Sequence, residues 1–317
     1  RMNFQLNERA ADLTEDVIEQ AEQLRIEFHQ LPCGGRVVDF GVHCTGSLAA
    51  GMALAEICMA DWGEVALTPG DVKGVSFPTV TVTTDHPLAA CLLSQYAGMQ
   101  IQVDKYFAMG SGPMRAIAAK EELFKEFQYQ EAPHEAVGIL ESNKLPDEAV
   151  FRLIQKQTGV PIEMIILLVA PVTSLAGSFQ VVARSVETAL HKLHELKFDM
   201  TRLVSAYGTA PLPPVAAKTL TGIGRTNDAI LYGGRVTLWV TGDDESLQQI
   251  GLQVPSSSSE MSGKPFADIF KDANNDFYQI DPLLFSPAEV TFQNIETGNV
   301  YQFGKASPEI VKASFGL

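Results

Sequence analysis

The sequence is poor in positive charge. Its 317 residues include 23 lysines and arginines against 38 aspartates and glutamates, which gives a formal net charge of −15 at pH 7. A chain with this balance has no general basic field to attract a polyanion such as DNA. The composition therefore argues against nucleic acid as a partner.

Long hydrophobic runs are also missing. The longest run, Met164 to Val172, contains Pro171 and is much shorter than the roughly 20 residues that cross a bilayer, so it is typical of a buried strand. The first residues lack the charged, apolar and small-residue regions of a signal peptide. With 46% hydrophobic residues, the chain can bury one large core or two ordinary ones. These features predict a soluble, cytoplasmic protein with no membrane partner.

Metal-binding motifs are absent too. No CxxC pair or HExxH motif occurs, and Glu187, His191 and His194 have the spacing E-x3-H-x2-H without a clear third ligand cluster. We therefore expect no metal site, and reduced, partly buried thiols. The chain has four cysteines, Cys33, Cys44, Cys58 and Cys91.

Helix-like and strand-like patterns alternate along the chain. Apolar positions from Leu13 to Phe28 recur every three or four residues and predict a first amphipathic helix, and Val75 to Thr84 is strongly β-type. Further helices are predicted at Pro87 to Tyr96, Pro113 to Leu123, Pro146 to Gln157 and Ser178 to Leu196, and further strands at Met99 to Val103, Ala136 to Leu140, Met164 to Val169 and Arg202 to Ala206. This alternation predicts an α/β fold, with a mixed α+β arrangement as the alternative.

The length favours two domains. No linker marks a boundary, and we place it at 1–145 and 146–317. The strands Glu289 to Asn294 and Asn299 to Phe303 predict a hairpin, followed by a helix from Pro308. This hairpin and helix could return to the first domain.

The predicted helix Ser178 to Leu196 orders its polar residues. Gln180, Arg184, Glu187 and His191 are spaced by four, three and four residues, so they share one face and Arg184 can reach Glu187. One alternative is a surface ion pair worth about 0.3–0.5 kcal/mol. The other is a cleft, in which the carboxylate accepts a proton from water and the guanidinium fixes its orientation.

Hydroxyl groups precede this helix. Thr173 and Ser174 lie in the segment Ala170 to Ser178, where free backbone N–H groups and the helix macrodipole suit an anionic group. Ordinary N-capping by Ser174 or Ser178 explains the same pattern.

The segment Tyr106 to Arg115 is a second candidate binding segment. Ser111 lies between two glycines, which allows a close backbone approach, and Arg115 adds positive charge. The spacing is not a dinucleotide fingerprint, because Arg115 stands where the third glycine belongs. The segment could therefore bind a phosphate, bind a flat polar ligand or form an ordinary turn.

Two more segments concentrate polar groups. Arg225, Asn227 and Asp228 lie between glycines, although Thr226 or Asn227 could simply cap a helix whose first turn Asp228 favours. Asp85 follows a predicted strand, where it could cap the next helix or face a ligand.

Together, the order and spacing of these segments resemble the methenyltetrahydromethanopterin cyclohydrolase family. The resemblance covers nearly the whole chain. It is carried by TTDHP at 83–87, YFAMGSGPMRA at 106–116, APVTSLAGSFQVVARSVETALHKL at 170–193, GTAPLPP at 208–214, GRTNDAILYGG at 224–234, GKPFADIF at 263–270 and DFYQIDP at 276–282.

The resemblance implies reversible hydrolysis of the N5,N10-methenyl bridge of tetrahydromethanopterin to the N5-formyl compound, without a metal or redox cofactor. It also implies two α/β domains with the active-site pocket between them, and a homotrimer. Glu187 is the implied base that activates water, and Arg184 the residue that orients it.

The substrate contacts follow from the chemistry of such a substrate. Asp85 and Asp228 are candidates for the N–H donors of the pterin edge. Arg115, Arg225 and the turn around Ser111 could bind the anionic tail. Tyr106, Thr173, Ser174 and Asn227 complete the predicted substrate-binding set. The competing functions are a noncatalytic reduced-pterin binding protein and a cyclohydrolase for another folate-like carrier.

Overall fold

The computed structural model describes residues 3–317, which form two compact units. Unit 1 comprises the described residues up to Gly63 together with Ala89–Gln180, and unit 2 comprises Glu64–Leu88 and Val181–Leu317.

The strands of these residues are short to medium in length. They are β1 (Glu27–Gln30), β2 (Arg36–Asp39), β3 (Glu64–Val72), β4 (Val75–Thr84), β5 (Met99–Val103), β6 (Tyr106–Ser111), β7 (Ala136–Glu141), β8 (Ile165–Ala170), β9 (Leu203–Pro211), β10 (Arg235–Val240), β11 (Glu289–Asn294) and β12 (Val300–Gly304).

Helices precede, separate and follow these strands along the chain. They are α1 (Leu6–Glu19), α2 (Ala21–Leu24), α3 (Leu48–Cys58), α4 (Met114–Ala118), α5 (Glu122–Glu126), α6 (Glu148–Thr158), α7 (Leu175–Val182), α8 (Ser185–Glu195), α9 (Thr219–Leu231), α10 (Asp244–Gly251), α11 (Phe266–Asp272) and α12 (Pro308–Phe315), with a π-helix at Leu88–Gln95. No helix within residues 3–317 is both long and apolar enough to span a bilayer.

Unit 1 contains a six-stranded mixed sheet in the order β1-β2-β8-β7-β6-β5. Strands β2, β8 and β7 are parallel, whereas β1, β6 and β5 are attached antiparallel. Every residue of β8 is buried, as expected for a central parallel strand covered on both faces, which reads as one continuous apolar run.

Unit 2 contains the second six-stranded mixed sheet, in the order β12-β11-β10-β9-β4-β3. Only the β10–β11 pair is parallel. Lys73 and Gly74 connect β3 to β4 with φ angles of +50° and +79°, the left-handed conformation that two-residue hairpin turns favour. Two mixed sheets with helices between their strands confirm the predicted α/β fold.

The chain enters unit 2 twice. The hairpin of β3 and β4 belongs to this unit because β4 pairs with β9, which is more than a hundred residues away in sequence. The C-terminal hairpin stays in unit 2 as well, because β11 pairs with β10. The single boundary at 1–145 and 146–317 therefore differs from the division seen here, which falls at Gly63, Leu88 and Gln180. Non-local strand pairing decides the division, and local sequence pattern does not encode it.

The first predicted helix is shorter than its periodicity suggested. Helix α1 ends at Glu19, and Phe28 lies in β1. Arg25 adopts a left-handed φ of +58° at the end of α2, which turns the chain away from the helical path.

Candidate active site

The start of helix α8 carries the two predicted catalytic residues. The predicted helix Ser178 to Leu196 is interrupted at Ala183 and Arg184, so Arg184 is the N-cap residue of α8 and Glu187 lies in its first turn. The backbone N–H of Thr188 donates to the carbonyl of Arg184 (2.9 Å), and the Thr188 hydroxyl donates to the same oxygen (3.1 Å). These bonds hold Arg184 and Glu187 in one rigid turn.

Both side chains are buried. Glu187 is 5% exposed and Arg184 is 8% exposed, and Gln180 on α7 is buried as well. This burial removes the alternative of a solvated surface ion pair. A carboxylate in the first turn also lies at the positive end of the helix macrodipole, which stabilises negative charge at that position.

Packing against the sheet of unit 2 fixes α8. Val186, Ala189, Leu190 and Leu193 form an apolar stripe along α8 and are completely buried. The stripe faces β9 and β10, so this sheet determines where the first turn of α8 lies.

Ser174 serves as a local cap at the start of α7. Its hydroxyl accepts a hydrogen bond from Gly177 N (3.0 Å) and donates to Pro171 O (2.8 Å), and the Ser178 hydroxyl donates to Val172 O (2.8 Å). The capping alternative thus accounts for Ser174, while Thr173 is half-buried beside it.

Arg115 lies in the interior of unit 1. Its Nε donates to Glu121 Oε1 (3.0 Å), its Nη2 donates to Glu121 Oε2, and its Nη1 donates to the carbonyls of Leu92 (3.2 Å) and Ser94 (2.8 Å). The guanidinium also lies 5.0 Å from the Tyr96 ring centroid. Because these partners occupy its donors, an anion could bind Arg115 only if this network opened.

Tyr106 and Ser111 lie on β6 in the interior of unit 1. Tyr106 packs in the hydrophobic core, where burial raises its pKa to about 12 and keeps the phenol neutral at physiological pH. The Ser111 hydroxyl is 3.4 Å from the Cys58 thiol. Both side chains are buried in this fold.

The polar residues of α9 brace other parts of unit 2. Arg225 donates to Ser314 O (3.2 Å) and Pro214 O (3.1 Å), and Asn227 donates to Ile223 O (2.8 Å) within the helix. These contacts use the polar groups to hold neighbouring segments together.

Asp228 caps another helix from its buried position on α9. Its Oδ1 accepts a hydrogen bond from the backbone N–H of Phe266 (2.8 Å), the first residue of α11. The side chain is fully buried, and desolvation raises its pKa to about 7 although Ser314 and Phe266 oppose the shift. The carboxyl thus joins α9 to the start of α11.

Asp85 is exposed at the end of β4, where its Oδ1 accepts a hydrogen bond from the Ser205 hydroxyl of β9 (2.7 Å). Asp85 and Asp228 were both predicted to bind the pterin edge. The Asp85 carboxylate faces solvent in this structure, whereas Asp228 is buried.

Unit 1 holds Tyr106, Ser111, Arg115, Thr173 and Ser174, and unit 2 holds Asp85, Arg184, Glu187, Arg225, Asn227 and Asp228. The structure brings Arg184 and Glu187 together in one turn. The sequence analysis overlooked Lys192, although it lies on the same helix.

Lys192 anchors α8 from its buried side. Its Nζ donates to Ser258 Oγ (3.1 Å) and to Leu283 O. Burial lowers its pKa to about 8, with Asp281 acting in the opposite direction. The sequence offered only a weak signal, because Lys192 lies beside the apolar stripe of the helix, three residues after Ala189.

Among residues 3–317, one group of side chains brings metal-type donors close together. Donor atoms of Glu27, His29 and Asp39 lie within 4.8 Å of one another. Both Asp39 oxygens already accept backbone hydrogen bonds, Oδ1 from Gly41 and Val42 and Oδ2 from His43. This arrangement suits a brace for the loop after β2 better than a metal centre.

Comparison with known proteins identifies related sequences over the whole chain. The model of the family described as Cyclohydrolase (MCH) matches residues 5–315. A methenyltetrahydromethanopterin cyclohydrolase of Rhodopirellula baltica is 50% identical over 289 residues, which cover 90% of this chain and 87% of that protein. Proteins of the same name from Methylobacillus flagellatus and Methanospirillum hungatei are 42% and 43% identical, and each alignment covers 98% of this chain and at least 95% of the relative.

The raised pKa of Asp228 predicts a pH-dependent stability. The pKa lies above the ordinary 3.8, so the folded state binds this proton more tightly than the unfolded state. The resulting stability is fully present below about pH 3.8 and is lost as the pH rises through about 7. Asp228→Asn keeps an oxygen for Phe266 N but cannot ionise. We expect urea denaturation to show a flatter dependence on pH between 4 and 7 than in the wild type.

Asp71→Asn is the control for this measurement, because Asp71 is exposed on β3. It should retain the wild-type pH dependence. Parallel curves for Asp228→Asn and the wild type would contradict the role of this carboxyl.

The interior position of Arg115 predicts a large loss of stability when its charge is removed. Arg115→Met leaves Glu121 without its guanidinium partner, and we expect the free energy of unfolding to fall by about 3–5 kcal/mol. Arg152→Met is the control, because the Arg152–Glu148 pair is exposed on α6 and such pairs contribute about 0.3–0.5 kcal/mol. Chemical denaturation compares the two variants. Equal losses would show that Arg115 does not brace unit 1.

Proposed function

This chain belongs to the cyclohydrolase (MCH) family, and we propose that it hydrolyses 5,10-methenyltetrahydromethanopterin to the 5-formyl compound in a reversible reaction. The family and the names of its relatives support the activity. The observation that supports the catalytic assignment is the joint burial of Glu187 and Arg184 in one turn of α8.

The substrate is activated before the enzyme acts on it. The methenyl carbon lies between two nitrogens in a delocalised cation, so it is electrophilic without a Lewis acid. We therefore propose a reaction that needs no metal or redox cofactor, in which the protein's task is to orient water and move protons.

In the proposed hydrolysis, the oxygen of a water molecule bonds to the methenyl carbon while Glu187 accepts a proton from that water. The carbon–N10 bond of the tetrahedral intermediate then breaks as the formyl carbonyl forms, and N10 takes up a proton. One proton is released overall, because the cationic substrate becomes a neutral amide and amine. The reverse reaction uses the same groups in the opposite order.

Arg184 and Glu187 have distinct tasks in this proposal. The Glu187 carboxylate also stabilises the nearby cationic substrate, since opposite charges attract strongly in a site with little water. The Arg184 guanidinium fixes the orientation of the carboxylate and the water. A buried setting suits both tasks because it restricts the rotamers of the two side chains.

Among the predicted substrate contacts, we propose Asp85 first for the pterin edge, because its exposed carboxylate can accept a forked pair of N–H donors. Among the predicted hydroxyl-bearing residues, we propose Thr173 as the substrate contact, because its side chain is only half-buried. A homotrimer and a cytoplasmic location are further proposals that rest on the family resemblance, and sedimentation analysis would test the trimer.

Replacement of Glu187 tests the catalytic assignment. Glu187→Gln keeps the size and hydrogen-bonding capacity of the side chain but cannot accept the water proton. We expect kcat to fall by about 10²–10⁴, the usual contribution of a general base, with a much smaller change in KM. Loss of the methenyl chromophore in the purified enzyme gives the rate.

Glu195→Gln is the matched control, because Glu195 is exposed at the end of the same helix. It should leave kcat close to the wild-type value. If Glu187→Gln turned over as fast as Glu195→Gln, the base would have to be another residue.

The carrier is tested by comparing methenyl derivatives of tetrahydromethanopterin and tetrahydrofolate. We expect a higher kcat/KM for the tetrahydromethanopterin derivative. A preference for the folate derivative would redirect the assignment to another carrier, and tight binding of either compound without hydrolysis would indicate a binding protein.

A further inference from the structure

Gly208 on β9 lies directly beneath the first turn of α8. A Cβ atom at this position would be 2.4 Å from Ser185 Oγ and 2.7 Å from Val186 Cγ2. Separations below about 3 Å do not occur between such atoms in folded proteins. The contact between β9 and α8 therefore requires a residue without a side chain at position 208.

The backbone of strand β9 cannot easily move away to relieve such a clash. Gly208 is paired with Val82 of β4 on one side and with Val236 of β10 on the other, so it lies in the middle of the sheet. Moving this part of the strand would disturb its pairing with both neighbouring strands. A side chain at position 208 would therefore displace the helix.

The first turn of α8 would move together with both catalytic candidates. Ser185 and Val186 stand between Arg184 and Glu187, and Thr188 binds the carbonyls of Arg184 and Ser185 through its hydroxyl. A shift of the two middle residues is thus transmitted to their neighbours on either side.

Ser185 gives an independent indication that this approach is tight. Its side chain is 1% exposed, and its hydroxyl has no hydrogen-bond partner among the described residues. A buried, unpaired hydroxyl is unfavourable, so the position of Ser185 is imposed by the packing of the turn and not by a bond of its own. The hydroxyl occupies the space that a side chain at Gly208 would fill.

We propose that Gly208 is a positioning residue for Glu187 and Arg184. Because Gly208 has no side chain, the first turn of α8 can lie close to the sheet. This distance determines the position of the Glu187 carboxylate and the Arg184 guanidinium. This inference rests on the proposed function and adds a determinant that acts through the helix without touching substrate.

Gly208→Ala is the primary test. Restoring ordinary van der Waals distances requires the turn to move by about 1 Å, and misplacement of this size can lower a rate about 100-fold. We expect kcat to fall by about 10- to 100-fold, with a smaller change in KM, at temperatures where the variant is fully folded.

Rescue distinguishes positioning from a general loss of stability. Ser185→Ala and Val186→Ala together remove the two atoms nearest to the new methyl group. The triple variant Gly208→Ala/Ser185→Ala/Val186→Ala should therefore regain kcat to within a few-fold of the double variant that retains Gly208. The rescue variant also supplies the decisive measurement if Gly208→Ala alone does not fold.

Gly251→Ala is the structural control. A Cβ there would lie 2.1 Å from the Phe303 ring, where α10 packs on β12, so it should lower the melting temperature while kcat remains at the wild-type value. A wild-type kcat in folded Gly208→Ala, or a triple variant impaired relative to its double-variant control, would overturn the proposal. Absence of turnover in the wild type would instead refute the proposed function.

Discussion

The contact between the first turn of α8 and strand β9 is the constraint on which the candidate active site depends. Glu187 and Arg184 lie on a turn that is pressed against the middle of a sheet, and the chain accommodates this approach with a glycine at position 208. The apolar stripe of α8 supplies the hydrophobic free energy that keeps the helix in place. The same packing buries the two charged side chains, which makes them candidates for a catalytic role.

Buried charges elsewhere in the protein serve the architecture. Arg115 binds Glu121 and two backbone carbonyls inside unit 1, Asp39 holds the loop after β2, and Asp228 caps α11. Hydrogen bonds compensate the buried charges of Arg115 and Asp39, whereas desolvation raises the pKa of Asp228 despite its bond to Phe266. Polar residues in motifs that resemble a family's signature can therefore be structural.

The proposed chemistry agrees with this distribution of charge. A cationic one-carbon adduct needs a carboxylate and an oriented water more than it needs an additional positive centre. The chain has an excess of acidic residues, and the structure uses several of its arginines as internal braces. Glu187 lies in the first turn of α8, at the positive end of the helix macrodipole, and this position suits the proposed base.

The α/β class, the fully buried strand β8 and the amphipathic character of α8 could be predicted from sequence, because these features depend on local periodicity. Their separation of three residues in sequence also predicted that Arg184 and Glu187 lie within one turn of each other. The sequence could not predict the break between α7 and α8, the interior locations of Arg115 and Asp228, or the division of the chain into units. These features became visible in the fold alone, because they depend on pairing and packing between segments far apart in the chain, such as β4 with β9 and α8 with Gly208.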